Sequence, residues 1–146
     1  MKNRFAWIAA VAVSTTLLLF AATAFSNDYE LRNVRVVDGD TIRATVVLDF
    51  GIELSDTRIR LLGFDAWESS RARRAIEISD EEIEKGKIAG EALKKLLGRG
   101  VSFGRTGKGK ARDHYGRPML YLLIRDESDS VLHVDEWMKA NGHTRR

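Results

Sequence analysis

From Ile42 to Phe50 the chain reads Ile-Arg-Ala-Thr-Val-Val-Leu-Asp-Phe, with apolar residues at 42, 44, 46, 48 and 50. Successive side chains of a strand point to opposite faces, so this two-residue period describes a strand buried on one face only. Such a strand must find sheet partners, and the flanking sequence supplies them. Leu31–Val37 is a suitable antiparallel neighbour, with Asp38-Gly39 at the connection, a residue pair that favours tight hairpin turns. Thr57–Leu62 reads as a third strand with Ile59 and Leu61 inward and Arg58 and Arg60 outward.

Residues 66–78 carry Arg71, Arg73 and Arg74 with no clear period and read as a loop. A helix follows. Ser79 and Glu82 have the spacing of a capping box, and the acidic run 80–82 suits the positive end of a helix dipole. Ile83, Ala89, Ala92, Leu93, Leu96 and Leu97 then recur at helical spacing, and Gly98 and Gly100 end the element. Gly86 and Gly90 weaken it. Val101–Arg105 and Gly116–Ile124 read as strands, separated by a basic loop with Lys108, Lys110 and Arg112. Arg125–Ser130 looks like a hairpin connection, and Val134–Asn141 a short closing helix anchored by Trp137. Five strands, a helix between the third and fourth, and a short C-terminal helix give a mainly β fold: a five-stranded OB-type barrel.

The first 24 residues belong to a different class. Lys2 and Arg4 precede an apolar stretch from Phe5 to Phe25, and Ala22-Thr23-Ala24 offers a small-residue cleavage site. Residues 1–24 therefore read as a signal peptide, with an uncleaved membrane anchor as the alternative. Either way the expected location of the 27–146 domain is outside the cytoplasm, secreted or periplasmic. Removing the segment takes two cations and no anions, so the net charge falls from +3 to +1. Overall charge thus gives no argument for nucleic-acid binding; any attraction must be local. The chain has no cysteine, which excludes a disulfide framework and thiol redox chemistry.

Asp40 stands at one strand boundary, in Val-Asp-Gly-Asp-Thr-Ile (37–42), and Asp65 and Glu68 at another, in Arg-Leu-Leu-Gly-Phe-Asp-Ala-Trp-Glu (60–68). Two strand ends brought together would set Asp40 beside Asp65, with Glu68 a short turn away. Arg60 lies on the same segment, and Arg117 follows in Asp-His-Tyr-Gly-Arg (113–117). Carboxylates hold a hard cation, and guanidiniums stabilise charge on a phosphodiester. Two carboxylates suffice for an ion whose charge the substrate also helps satisfy, leaving a third to work on water. Each motif alone has a bland explanation, a hairpin turn or a solvated strand end. The combination points to a nuclease. His114, His133 and His143 have no metal-ligand spacing.

These blocks, with Gly90-Glu91-Ala92-Leu93 of the helix, resemble in content and order the staphylococcal (micrococcal) nuclease, or thermonuclease, family over about residues 31–142. The resemblance implies an OB barrel, calcium as cofactor, and phosphodiester hydrolysis in DNA and RNA that leaves 3′-phosphates. It implies Asp40, Asp65 and the backbone carbonyl of Ala66 as calcium ligands. Glu68 would orient or deprotonate water, and Arg60 and Arg117 would bind the scissile phosphate. Asp113 matches a position near metal and substrate, or is a turn aspartate. Tyr115 would stack on a base or bond a phosphate, or simply pack.

Two departures stand out. The family has a proline before its catalytic glutamate where this chain has Ala66-Trp67, which frees the backbone leading to Glu68. The family's later tyrosines and final helix have no counterpart after Gly142, which implies weaker or different nucleotide selection. The expected partner is a DNA or RNA substrate, bound by a monomer with no protein partner implied. The alternative is a nuclease-like OB module that binds nucleic acid without cleaving it.

Overall fold

The computed structural model describes residues 28–69 and 78–145. The leader read at 1–24, and the part of the 66–78 loop that carries Arg71, Arg73 and Arg74, lie outside the described residues. Among those described, the order is β1 (Asp28–Asp38), β2 (Thr41–Val47), β3 (Glu53–Leu61), α1 (Asp80–Leu97), β4 (Val101–Thr106), β5 (Met119–Arg125), β6 (Val131–His133) and α2 (Val134–Ala140). β1, β2 and β3 form an antiparallel meander, and β1 pairs on its other side with β4, which pairs with β5. The sheet closes where β5 meets β3 in parallel register, Arg60 opposite Met119 and Leu61 opposite Leu120. This is the OB-type barrel the element order implied, and closure removes the free edges of its five strands. The short β6 pairs only with β5 and extends the sheet outside the barrel.

The period-two pattern places the core. Ile42 and Ile59 face each other across β2 and β3, both 0% exposed, and Ala44, Leu61, Leu120, Leu122 and Ile124 fill the interior around them. Burying such a side chain contributes roughly 1.5–3 kcal/mol each relative to exposure. α1 lays Ala89, Leu93 and Leu96 into the same cluster, and α2 adds Val134 and Met138. The Ser79 hydroxyl accepts from the Glu82 N–H at 3.2 Å, satisfying an orphan donor at the start of α1 as the spacing anticipated.

Three local differences from the sequence reading have physical causes. β2 ends at Val47, and Phe50, expected inward, is fully exposed. The chain must reverse to start β3, and it does so through a tight turn over 49–51 with Phe50 in the left-handed region (φ 60°). β3 begins at Glu53 rather than Thr57 because Val46 and Val47 pair with Leu54 and Glu53. Residues 53–56 are exposed and carry no alternation to read. β6 is three residues long, below the length at which a period can be recognised.

Candidate functional site

Asp40 follows Gly39 in the two-residue turn between β1 and β2, and it is only 4% exposed. Its carbonyl accepts from the Leu61 N–H at 2.8 Å, tying the turn to the end of β3. The carboxylate is satisfied on both oxygens. Oδ2 accepts from the Ala66 N–H at 3.0 Å, while Oδ1 accepts from the Thr41 hydroxyl at 3.2 Å and from the Arg60 guanidinium. The other arm of that guanidinium reaches Asp65. Arg60 therefore bridges the two aspartates, and the strand ends bring together Asp40, Arg60, Asp65 and Ala66 as the sequence suggested. Asp65 is held from behind as well, its carbonyl accepting from the Arg145 N–H at 2.7 Å.

Arg117 stands on the neighbouring hairpin, which is fused to the same strand. The Arg60 N–H donates to the carbonyl of Pro118 at 2.9 Å, one residue beyond Arg117. Asp113 organises this hairpin: Oδ1 accepts from the Tyr115 and Arg117 N–H groups (3.0 and 2.9 Å), and Oδ2 accepts from Arg117 Nε at 2.6 Å. Burial works to raise the Asp113 pKa, but these hydrogen bonds and the Arg117 charge together hold it below the usual carboxylate value. Asp113 thus organises its own turn and fixes Arg117 within it. Tyr115 is 72% exposed, with the Arg117 guanidinium 5.3 Å from its ring centre and His114 against it at 3.8 Å. One face of an aromatic ring is therefore open to solvent beside a phosphate-binding type of cation.

Glu68 is partly exposed and is positioned by its backbone. A Cβ built on Gly86 of α1 would lie 2.3 Å from the Glu68 carbonyl oxygen and 2.7 Å from that of Trp67. Only glycine lets the helix approach the loop this closely. Gly39 makes a similar approach: a Cβ there would lie 2.6 Å from Ala66 Cβ and 3.3 Å from Ala89 Cβ. The β1–β2 turn, the 65–68 loop and α1 are packed together through small residues. The Trp67 ring lies under the Lys85 ammonium, 5.0 Å from its centre, a further hold on the segment that leads to Glu68. Gly86 and Thr41 are the site residues the sequence reading passed over. A glycine retained inside an otherwise regular helix was the available signal for the first.

Asp40 and Asp65 offer oxygen ligands of the type a hard cation takes, but in this arrangement the Arg60 guanidinium occupies both carboxylates. Among the described residues no three His, Asp or Glu side chains converge closely enough to hold one ion. Of Ala66, the contacts that define its place are its amide on Asp40 and its Cβ on Gly39.

Burial, opposed by the Arg60 charge and reinforced by nearby Asp38, pushes the Asp40 carboxyl up to about 7 from 3.8. The folded protein then binds this proton more tightly than the unfolded chain does. Stability from this group is complete below the unfolded value and is lost as pH rises through the folded one. In chelator, the thermal midpoint should therefore fall between about pH 4 and pH 7, and Asp40→Asn should remove that slope. Melts of both proteins across the window check it; parallel profiles would assign the slope to another group.

Neither a protein-family model nor a curated protein matches the chain.

Proposed function

We propose that the chain is an exported, calcium-dependent nuclease of the thermonuclease type, acting on DNA, RNA or both. The observation that carries this reading is the convergence of Asp40 and Asp65 on Arg60, with Arg117 set beside them through Pro118. Paired carboxylates next to paired guanidiniums suit a cation and a phosphodiester together, and a merely structural ion site has no use for the second pair. The sequence of residues 1–24 supports export; among the described residues no helix is long and apolar enough to cross a membrane. A monomer has all the proposed groups on one chain.

In this mechanism Asp40, Asp65 and the Ala66 carbonyl would hold calcium, which supplies Lewis-acid polarisation of a phosphate oxygen. Arg60 would exchange its carboxylate partners for the phosphate, where its planar fork matches two oxygens. Arg117, aimed by Asp113, would stabilise the charge that grows on the phosphoryl oxygens. Glu68 would take a proton from water as the water oxygen attacks phosphorus. The P–O5′ bond breaks, leaving a 3′-phosphate and a 5′-oxygen that acquires a proton. Tyr115 would offer a stacking face to a neighbouring base.

The test is cleavage of single- and double-stranded DNA and RNA by the purified protein with calcium, with zinc and with chelator. Calcium should activate and zinc should not, because the donor set is hard. Asp40→Ala and Asp65→Ala should each abolish calcium-dependent cleavage while circular dichroism shows the barrel intact. Undiminished cleavage in excess chelator would sink the reading. The bridging of both carboxylates by one guanidinium favours a second reading, an internally neutralised OB module that binds nucleic acid without cutting. Binding without cleavage under every metal condition would select it.

A further inference from the structure

The outer face of the barrel carries a row of arginines that the proposed chemistry does not use. Arg35 of β1 lies directly opposite Arg43 of β2, and Arg43 directly opposite Arg58 of β3. Side chains opposite one another share a face, and the inward neighbours Val36, Ile42 and Ile59 confirm which face this is. Strand spacing of about 4.8 Å puts the three guanidinium stems in one line, roughly 10 Å from end to end. The line does not stop at Arg58. Arg60, two residues on along β3, is on the same face, and Arg60 pairs in parallel register with Met119. Arg58 and Arg117 each precede that pair by two residues, so the row runs from β1 up to the proposed phosphate-binding arginines.

Like charges directly opposite in a sheet repel and cost stability. Here three cations have one carboxylate between them. Asp56 accepts from Arg35 at 2.5 Å and from Arg43, whose guanidinium also reaches the Asp56 carbonyl at 3.4 Å. Asp56 holds this place in a left-handed backbone conformation (φ 48°). Both pairs are largely exposed, the kind of ion pair worth little in water and open to a competing anion. Arg58 has no ion pair among the described residues, and its Nε is shielded from solvent without a hydrogen-bond partner. A shielded Nε cannot itself meet an incoming phosphate, so any such contact of Arg58 falls to the terminal nitrogens of its guanidinium.

Resting on the nuclease reading above, we infer that Arg58, Arg43 and Arg35 form a track for the single-stranded polynucleotide backbone that flanks the scissile phosphate. One line of cations, one side chain wide, suits successive phosphates of a single strand. Contacts to phosphates fix position and read no sequence, so the contribution of the track is affinity without sequence preference.

The experiment is fluorescence anisotropy of a labelled twelve-nucleotide oligothymidylate with the purified protein in chelator, repeated across salt concentrations. Each phosphate contact to a single strand contributes about 0.7 to the slope of log affinity against log salt. Arg58→Gln should lower the slope by about that amount, and Arg43→Gln with Arg58→Gln by about twice it. Arg58→Lys should restore the slope, which a merely structural role would not require. Arg35→Gln, on a side chain 69% exposed, provides a variant that folding cannot confound, and its slope should fall too. Unchanged slopes in the Arg35 and Arg58 variants would overturn the track. So would unchanged slopes accompanied by row-dependent binding to phosphatidylserine vesicles, which would give the row to a membrane surface. Because the readout is binding without metal, a parent that fails to cleave while its slope falls in the variants would keep the track and discard the hydrolytic reading.

Discussion

Glu68→Gln is expected to lower turnover by about 10²–10⁴-fold, the range for loss of a general base. The substitution keeps the shape of the side chain and removes its ability to take a proton from water. It also leaves the Asp40–Arg60–Asp65 ion pairs untouched, since Glu68 is no part of them. Calcium dependence and substrate affinity should therefore change little, and the deficit should fall on kcat rather than on KM. Arg117→Ala should also slow turnover, because a guanidinium directed at the phosphate stabilises charge that develops in the transition state. Arg60→Ala should weaken substrate binding as well. Steady-state kinetics on one oligonucleotide, with calcium saturating, separates these cases. A Glu68→Gln enzyme that cleaves at the parent rate would remove Glu68 from the chemistry and leave it a surface carboxylate.

How much of this site was legible beforehand depended on how local its signals were. Ile42, Ala44 and Val46 announced their inward face because a strand writes its burial into every second residue. Ser79 and Glu82 announced the start of α1 for a similar reason, a cap being a contact three residues long. Asp40, Asp65 and Arg60 were readable as chemistry through residue type and order, although nothing in their sequence separation says that one guanidinium would span both carboxylates. How Asp113 holds its hairpin was not legible, because it depends on contacts that both its oxygens make within that turn. The row from Arg35 to Arg58 was invisible for a topological reason. Only Arg58 and Arg60 share a strand, and the rest of the alignment depends on register, including an irregularity in β1 between Arg32 and Arg35 that shifts which residues face outward.

Gly86 is the residue whose meaning changed most, and it carries the second large prediction. Read as sequence it only weakens a helix, by about 1 kcal/mol relative to alanine. In the fold, a Cβ at this position would meet the Glu68 carbonyl oxygen at 2.3 Å and carbon at 2.5 Å. No ordinary contact is that short, so the loop and α1 must separate by roughly 1 Å for a normal van der Waals distance. Misplacement of a catalytic group by about 1 Å can cost 10²-fold in rate. Gly86→Ala should therefore lose activity by about that factor, and because the atoms it meets are backbone, the strain should outweigh the helix-propensity gain and lower the thermal midpoint. Gly90, four residues on, is the matched control: a Cβ there meets nothing within 4 Å. Gly90→Ala should gain up to about 1 kcal/mol of stability with kcat unchanged. The contrast isolates the contact from the propensity, since both variants make the same chemical change in the same helix. If Gly86→Ala proves as active as Gly90→Ala, α1 does not position Glu68. The placement of the 65–68 loop would then rest on the contact of Trp67 with Lys85 instead.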